Sequence, residues 1–216
     1  MIGEIDDAIR ALVKASDGIA ADIDIALDAP TKDWAARRNA PTVDLFLYDI
    51  REDARRREYG FTEQRDDRGL VTHRVPAPRF FKLSYLVTAW TQRPDDEHRL
   101  LDALLRCFLR FDAIPASFVT ATLADTGLPC SLTVAQPPPE DRAFADVWSS
   151  LGGELKPSLD LVVPAPVARG FSYPAGPPVT AGVEAQIAAE DFGIEESSSH
   201  AASALPAMPG GTPSED

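Results

Sequence analysis

Few residues in this chain are of a type that could act on a bond, and their spacing limits what each can do. The histidines stand at His73, His98 and His200, widely separated. Carboxylates are many, but nothing sequence-local pairs two of them as acid and base. His98 falls in the first turn of a predicted helix and His73 in a polar predicted strand, where an imidazole is normally solvated. Cys107 and Cys130 lie in different predicted elements. Two such cysteines make neither a zinc spacing nor a disulfide framework and suit a reducing compartment. Cys107 sits at the edge of an apolar helix face, so an inert, partly buried thiol is expected. Asp22, Asp24 and Asp28 share one face of an alternating run. Alternate strand residues are about 7 Å apart, too wide to ligate one cation without help from loops, so solvation is expected there. The chain has no phosphate loop, no dinucleotide glycine fingerprint, no His-Glu-x-x-His and no Gly-x-Ser-x-Gly. The expectation is a protein with no catalytic residues, no cofactor and no metal.

The elements around these residues are readable from their periodicity. Ile2, Ile5, Ile9, Leu12 and Val13 mark one face of a helix over 2–16, closed by Gly18. Ile19 to Asp28 alternates as a half-buried strand. Residues 30–39 predict a short helix or ordered loop, with Thr31 as N-cap and Trp34 as its apolar anchor. Val43 to Ile50 reads as a central strand apolar on both faces, Val43, Leu45 and Leu47 on one and Phe46, Tyr48 and Ile50 on the other. Residues 55–64 and 70–76 predict the arms of a polar hairpin around Asp66-Asp67-Arg68-Gly69. Arg79 to Thr91 predicts a second long strand. Asp95 to Phe111 is the strongest helical pattern, with Leu100, Leu101, Leu104, Leu105, Phe108 and Phe111 on one face. An irregular stretch over 114–127 precedes a short strand at 130–134, a helix over 141–151 and a last strand ending at Pro164. This order predicts an α+β fold. Its sheet is mixed but largely antiparallel, with about three helices packed mostly on one face.

Trp34 to Arg68 is the unusual stretch. Eight arginines, at 37, 38, 51, 55, 56, 57, 65 and 68, face eight acids. Balanced charge of this kind is either a solvated surface or a contact surface. Interfaces are enriched in arginine and tyrosine and depleted in lysine, which matches this stretch and its Trp34, Tyr48 and Tyr59. A long charged hairpin is hard to justify by core packing and would serve as an arm towards a neighbouring molecule, although a solvated hairpin is the alternative.

The opening MIGEIDDAIRALV, the run DAPTKDWAARRNAPTVDLFLYDIREDARRREYG and the later RFFKLSYLVTAWT together resemble the N-terminal domain of the cap, or tail-terminator, proteins of phage-tail-like contractile injection systems. The resemblance covers about residues 1–165. It implies an assembly role without catalysis: a homo-hexameric ring that closes the far end of the inner tube and sheath, with the sheath and inner-tube proteins as partners. It also implies assembly in the cytoplasm into a particle that is released or retained. On that reading Trp34, Arg37, Arg38, Tyr48, Arg51, Arg55, Arg56, Arg57 and Tyr59 are the expected ring or sheath contacts. The alternative is a non-enzymatic adaptor that recruits another component through its hairpin or its C-terminal segment.

The net charge of −13 argues against a nucleic-acid partner, which needs an excess of cations. Residues 170–216 hold seven acids and no lysine or arginine. From residue 166 proline, glycine, alanine and acids dominate, and 166–216 is expected to be a flexible tail with too little apolar surface to order itself. No run of about 18 apolar residues predicts a membrane span, and no basic region followed by an apolar stretch predicts a secretory leader.

Overall fold

The computed structural model of the protein describes residues 1–137 and 144–176. Helix α1 (Ile2–Lys14) buries Ile5, Ala8, Ile9, Leu12 and Val13, the stripe that its 3.6-residue period brings to one side. Strand β1 is only Asp24–Ala26, helix α2 is Lys32–Ala36 and strand β2 is Thr42–Glu52. A 3₁₀ turn at Ala54–Arg56 leads to β3 (Phe61–Arg65) and β4 (Val71–Pro76). Strand β5 (Arg79–Trp90) and helix α3 (Pro94–Leu109) follow, then a 3₁₀ turn at Ala116–Phe118 and the five-residue α4 (Ala121–Asp125). The described chain ends with β6 (Thr133–Val134), α5 (Phe144–Ser150), β7 (Leu159–Val167) and β8 (Tyr173–Pro174). The fold is α+β, with two sheets of mostly antiparallel pairing.

The larger sheet has the order β1-β2-β5-β7-β6, and the smaller one β3-β4-β8. Only the β1–β2 pair is parallel. The inner face of the larger sheet presents Val43 and Leu45 from β2, Leu83, Tyr85 and Val87 from β5, and Leu161, Val163 and Ala165 from β7. These meet the apolar faces of α1 and α3, including Leu104, Cys107 and Phe108, in one core. The Tyr85 hydroxyl is inside that core and donates to Asp6 Oδ1 at 2.7 Å, which satisfies a buried polar atom without a water.

Several expectations shift once the strands are paired. The central strand is β5, not β2. The 19–28 run pairs only over Asp24–Ala26, because the Ile23 amide donates to the Ala20 carbonyl and closes a turn before it. β2 therefore has two neighbours over Thr42–Asp44 alone, and its far half is a sheet edge where Ile50 is exposed. The alternation of β2 also breaks. Leu47 lies opposite Tyr85 and Asp49 opposite Ser84, leaving Tyr48 as an extra residue in a bulge. Beyond it every side chain changes face, so Ile50 stands opposite Leu83, on the face opposite to the one that simple alternation predicts.

The hairpin turn forms as the residue types require. Asp66 Oδ1 accepts from the Arg68 and Leu70 amides, and Gly69 takes φ +79. Its first arm is shorter than expected, because residues 54–56 coil into the 3₁₀ turn. β7 does not stop at Pro164. β6 covers only Leu161 and Val162, so beyond them β7 is an edge, and an edge tolerates Pro164 and Pro166. Tyr173–Pro174 then add a strand to β4. Residues 141–143 of the expected helix, and 177–216 of the expected tail, lie outside the described residues.

Candidate functional site

The Trp34-to-Tyr59 stretch does not form one surface. Its first part, Trp34 to Arg38, sits before the start of β2, and its second, Arg51 to Tyr59, runs from the last two residues of β2 outward. Eleven strand residues at about 3.3 Å each put the two roughly 33 Å apart.

At the first end α2 lies over the outer face of the larger sheet. Thr31 caps it, its Oγ1 accepting from the Trp34 amide at 3.3 Å. The cap points Trp34 inward, where it is 3% exposed and meets Trp90 edge to face at 5.4 Å. Trp34 is thus a packing residue of this surface, not a contact side chain. Arg38 lies over the Trp34 ring at 4.5 Å and pairs with Asp24 at 3.1 Å, so it seals the aromatic pair from outside. Lys156 covers the other side of Trp90 at 4.4 Å and pairs with Glu97. Arg37 stays exposed.

Beneath this cover lies a residue that the charge count hid. Asp44 belongs to the outer face by alternation with Val43 and Leu45, and it is completely buried. Neither of its carboxylate oxygens has a hydrogen-bond partner, and Trp34 Nε1 and Arg38 Nε are buried without partners as well. Burial, and then the nearby Asp28 carboxylate, push its pKa up to about 8 against the pull of Arg38. Thr42, Ser84, Thr88 and Asp160 are buried on the same face, which makes it a polar counterpart to the apolar core. Tyr48 joins this set, donating to Asp160 Oδ1 at 2.9 Å from its bulge.

At the second end Arg51, Arg56 and Arg57 are each held by a neighbour within the chain. Arg51 Nε reaches Asp49 at 3.3 Å. Arg57 forms a two-pronged pair with Glu52, which Arg79 also approaches at 3.1 Å. Arg57 accordingly holds the Glu52 carboxyl below the usual carboxylate range. Arg56 stacks on Phe80 at 3.6 Å. Arg55 is exposed, and Tyr59 is 86% exposed. Arg55 to Glu58 form one wall of a cleft of about 680 Å³, with Phe80, Val75 and Pro76 among its apolar lining. A cleft walled by arginine and floored by aromatic and aliphatic groups suits a protein surface better than a reaction. Cys107 and Cys130 are both buried, and burial raises the pKa of each thiol.

One feature of these surfaces was not read from the sequence. Asp44 gave no signal beyond a charge within an apolar run. Phe171 and Tyr173, expected in a flexible tail as aromatic docking points on a partner or on the body itself, stack beside Phe61 on the smaller sheet.

Among solved structures the fold is similar to two cap assemblies. One is the sheath/tube terminator of PVC, an extracellular contractile injection system, in its extended state, with a TM-score of 0.63, 23% identity and coverage of 87% of this chain and 65% of that one. The other is the tube-terminating cap of the anti-feeding prophage, with a TM-score of 0.59, 20% identity and coverage of 84% and 60%. The chain therefore spans less than two thirds of the length of either. No curated protein matches the sequence significantly. Residues 4–181 match the Pvc16 N-terminal domain, and that match takes in nearly the whole described body. The chain belongs to the Pvc16 N-terminal domain family.

Proposed function

We propose that this protein is a non-catalytic capping subunit of a contractile injection particle, closing the end of the inner tube and sheath as a ring of identical copies. The observation that carries this reading is the similarity of the fold, over most of the chain, to a sheath/tube terminator and to a tube-terminating cap. The surfaces fit the role. A tube built from head-to-tail contacts grows until its last interface is occupied by something that offers no further docking site. Arg37 and Arg38 at one end of β2, and Arg51 and Arg55 to Tyr59 at the other, give the subunit two charged surfaces that set register and orientation. The body to Gly176 is the capping unit, and the acidic segment beyond it is an appendage. Particle length by electron microscopy tests the reading. Deleting the gene is expected to give tubes or sheaths of scattered length, and uniform particles of unchanged length would refute termination. Truncation after Gly176 is expected to leave capping intact.

A further inference from the structure

Asp44 and the groups packed over it hold hydrogen-bonding capacity that the structure leaves unused. Asp44 is completely buried, and both of its carboxylate oxygens are unpartnered. The hydroxyls beside it are committed elsewhere. Thr42 Oγ1 donates to the Ala40 carbonyl at 3.0 Å. Thr88 Oγ1, opposite Asp44 in register, accepts from Trp90 Nε1 at 2.8 Å. Two unused donors are buried in the same cover, Trp34 Nε1 and Arg38 Nε. The Trp34 indole is fixed by its edge-to-face contact with Trp90. Arg38 lies just past the C-terminus of α2, and its long stem lets the head reposition. Its outward seat is also a weak one. Nη1 reaches Asp24 at 3.1 Å, but the Asp24 side chain is 56% exposed, and an ion pair so open to water holds little.

The charges around Asp44 single out Arg38 as the group that answers its ionisation. The β1 segment contributes acids alone, Asp22, Asp24 and Asp28, and the Asp28 carboxylate opposes a second negative charge. Strand β5 contributes Thr88 and Trp90, neither of them charged. Lys156 lies over Trp90 and is committed to Glu97. Further along the same face Asp160 of β7 is held by Tyr48. Helix α2 brings Lys32, Asp33 and Arg37, all exposed, and then Arg38, whose charge draws Asp44 towards ionisation. Burial, and after it Asp28, keep the Asp44 proton in place up to about 8. Once that proton leaves, a buried carboxylate without a partner costs more than an exposed ion pair is worth. A charge-assisted bond to it, away from water, is strong. Arginine keeps its own charge throughout. We infer that Arg38 is a two-position latch: with Asp44 protonated it holds Asp24 and covers the Trp34 ring, and with Asp44 ionised it turns its guanidinium inward onto Asp44. The inward position frees the Asp24 carboxylate and uncovers the indole face, so the surface before β2 differs between neutral and alkaline solution. The latch is a property of the single chain and does not depend on the capping role.

Nuclear magnetic resonance on the full-length chain tests it, following the Arg38 Nε–H signal and the carboxyl carbons of Asp24 and Asp44 from about pH 6 to about pH 10. In the wild type all three are expected to move together, with one midpoint at about 8. Asp44→Asn is expected to leave the Arg38 and Asp24 signals flat over the same range. Arg38→Gln keeps the buried carboxyl and removes the cation that favours its ionisation. It is expected to lower the ionisation constant of Asp44 at least about tenfold and to leave Asp24 flat. An Asp44 that titrates while Arg38 and Asp24 stay still overturns the latch, because the buried charge is then borne without Arg38. Arg38 and Asp24 signals that move equally in Asp44→Asn overturn it as well. So does an Asp44 that keeps one protonation state across the whole range, and so does an Arg38→Gln chain in which Asp44 titrates as in the wild type.

Discussion

Asp44 makes the sharpest test of the packing described here, because a buried carboxyl without hydrogen bonds leaves a signature in pH. In the unfolded chain an aspartate titrates near 3.8, whereas in the folded protein Asp44 is pushed up to about 8. Between those values the native state holds a proton that the unfolded state has released, so stability falls as pH rises. The neutral form is fully favoured below pH 3.8, and the loss is complete once pH has passed about 8. The slope is about 1.4 kcal/mol per pH unit, or about 4 kcal/mol between pH 5 and 8. Asp44→Asn keeps the shape and removes the titration. Its amide hydrogens also lack partners, which shifts the whole curve by about 1–3 kcal/mol but adds no pH dependence. The useful quantity is therefore the difference between variant and wild type. Measured by urea unfolding, with fluorescence of Trp34, Trp90 and Trp148 as the probe, that difference is expected to move in the variant's favour by about 4 kcal/mol from pH 5 to pH 8. Groups that titrate equally in both proteins cancel. A flat difference curve would refute the reasoning, and would mean that Arg38 turns its buried Nε from its present position onto Asp44 and keeps the carboxylate charged.

Glu4 carries the opposite linkage. Its carboxylate accepts from the Thr122 hydroxyl at 2.6 Å and the Leu123 amide at 3.0 Å, tying α1 to the first turn of α4, and the Thr122 bond leads in lowering its pKa to about 2. Glu4→Gln is expected to cost about 1–2 kcal/mol at pH 7, a gap present above pH 4.5 that closes as pH falls through about 2, read by denaturation at both ends of that range. Tyr85→Phe removes the hydroxyl that meets Asp6 inside the core and is expected to lower stability by about 1.5–2 kcal/mol, measured by the urea midpoint at unchanged m. Thr31→Ala removes the cap that seats Trp34 and is expected to cost about 1 kcal/mol, with altered near-ultraviolet dichroism from the Trp34–Trp90 pair. Deleting Tyr48 removes the bulge while keeping Asp49 opposite Ser84, so the body is expected to fold but with β2 bent differently; if the proposed ring depends on the angle between the two ends of β2, native mass spectrometry will show a changed copy number, and an unchanged one counts against that dependence.

The parts of this fold that could be read from sequence are those whose energetics are local. α1 and α3 repeat apolar residues at the helical period, Thr31 announces a cap, and Asp66 to Gly69 hold the groups a tight turn needs. Each outcome depends on residues within a few positions of one another. What could not be read depends on partners distant in sequence. The bulge at Tyr48 exists because β5 offers one residue where β2 offers two, and nothing in DLFLYDI records that. The pairing of Tyr173 with Arg74 depends on β4 having a free side about a hundred residues earlier, which composition read as a tail could not supply. Asp44 looked like one acid among many because burial is decided by α2 folding back over the sheet.

The same distinction explains why the sequence could mark the arginine-rich stretch but not how the fold divides it. Composition can mark residues 34–59 as a stretch suited to an interface. Only the strand that runs through their middle can separate them into two. Because β2 is anchored in the core over Val43 to Leu45 and paired with β5 along nearly all its length, the two ends are held at a fixed distance and angle, which surfaces on mobile loops would not be. A closed ring needs that constancy, since an angle that varies from copy to copy gives an open chain instead. The rigid element between the two surfaces is thus as necessary to the proposed assembly as the charges on them.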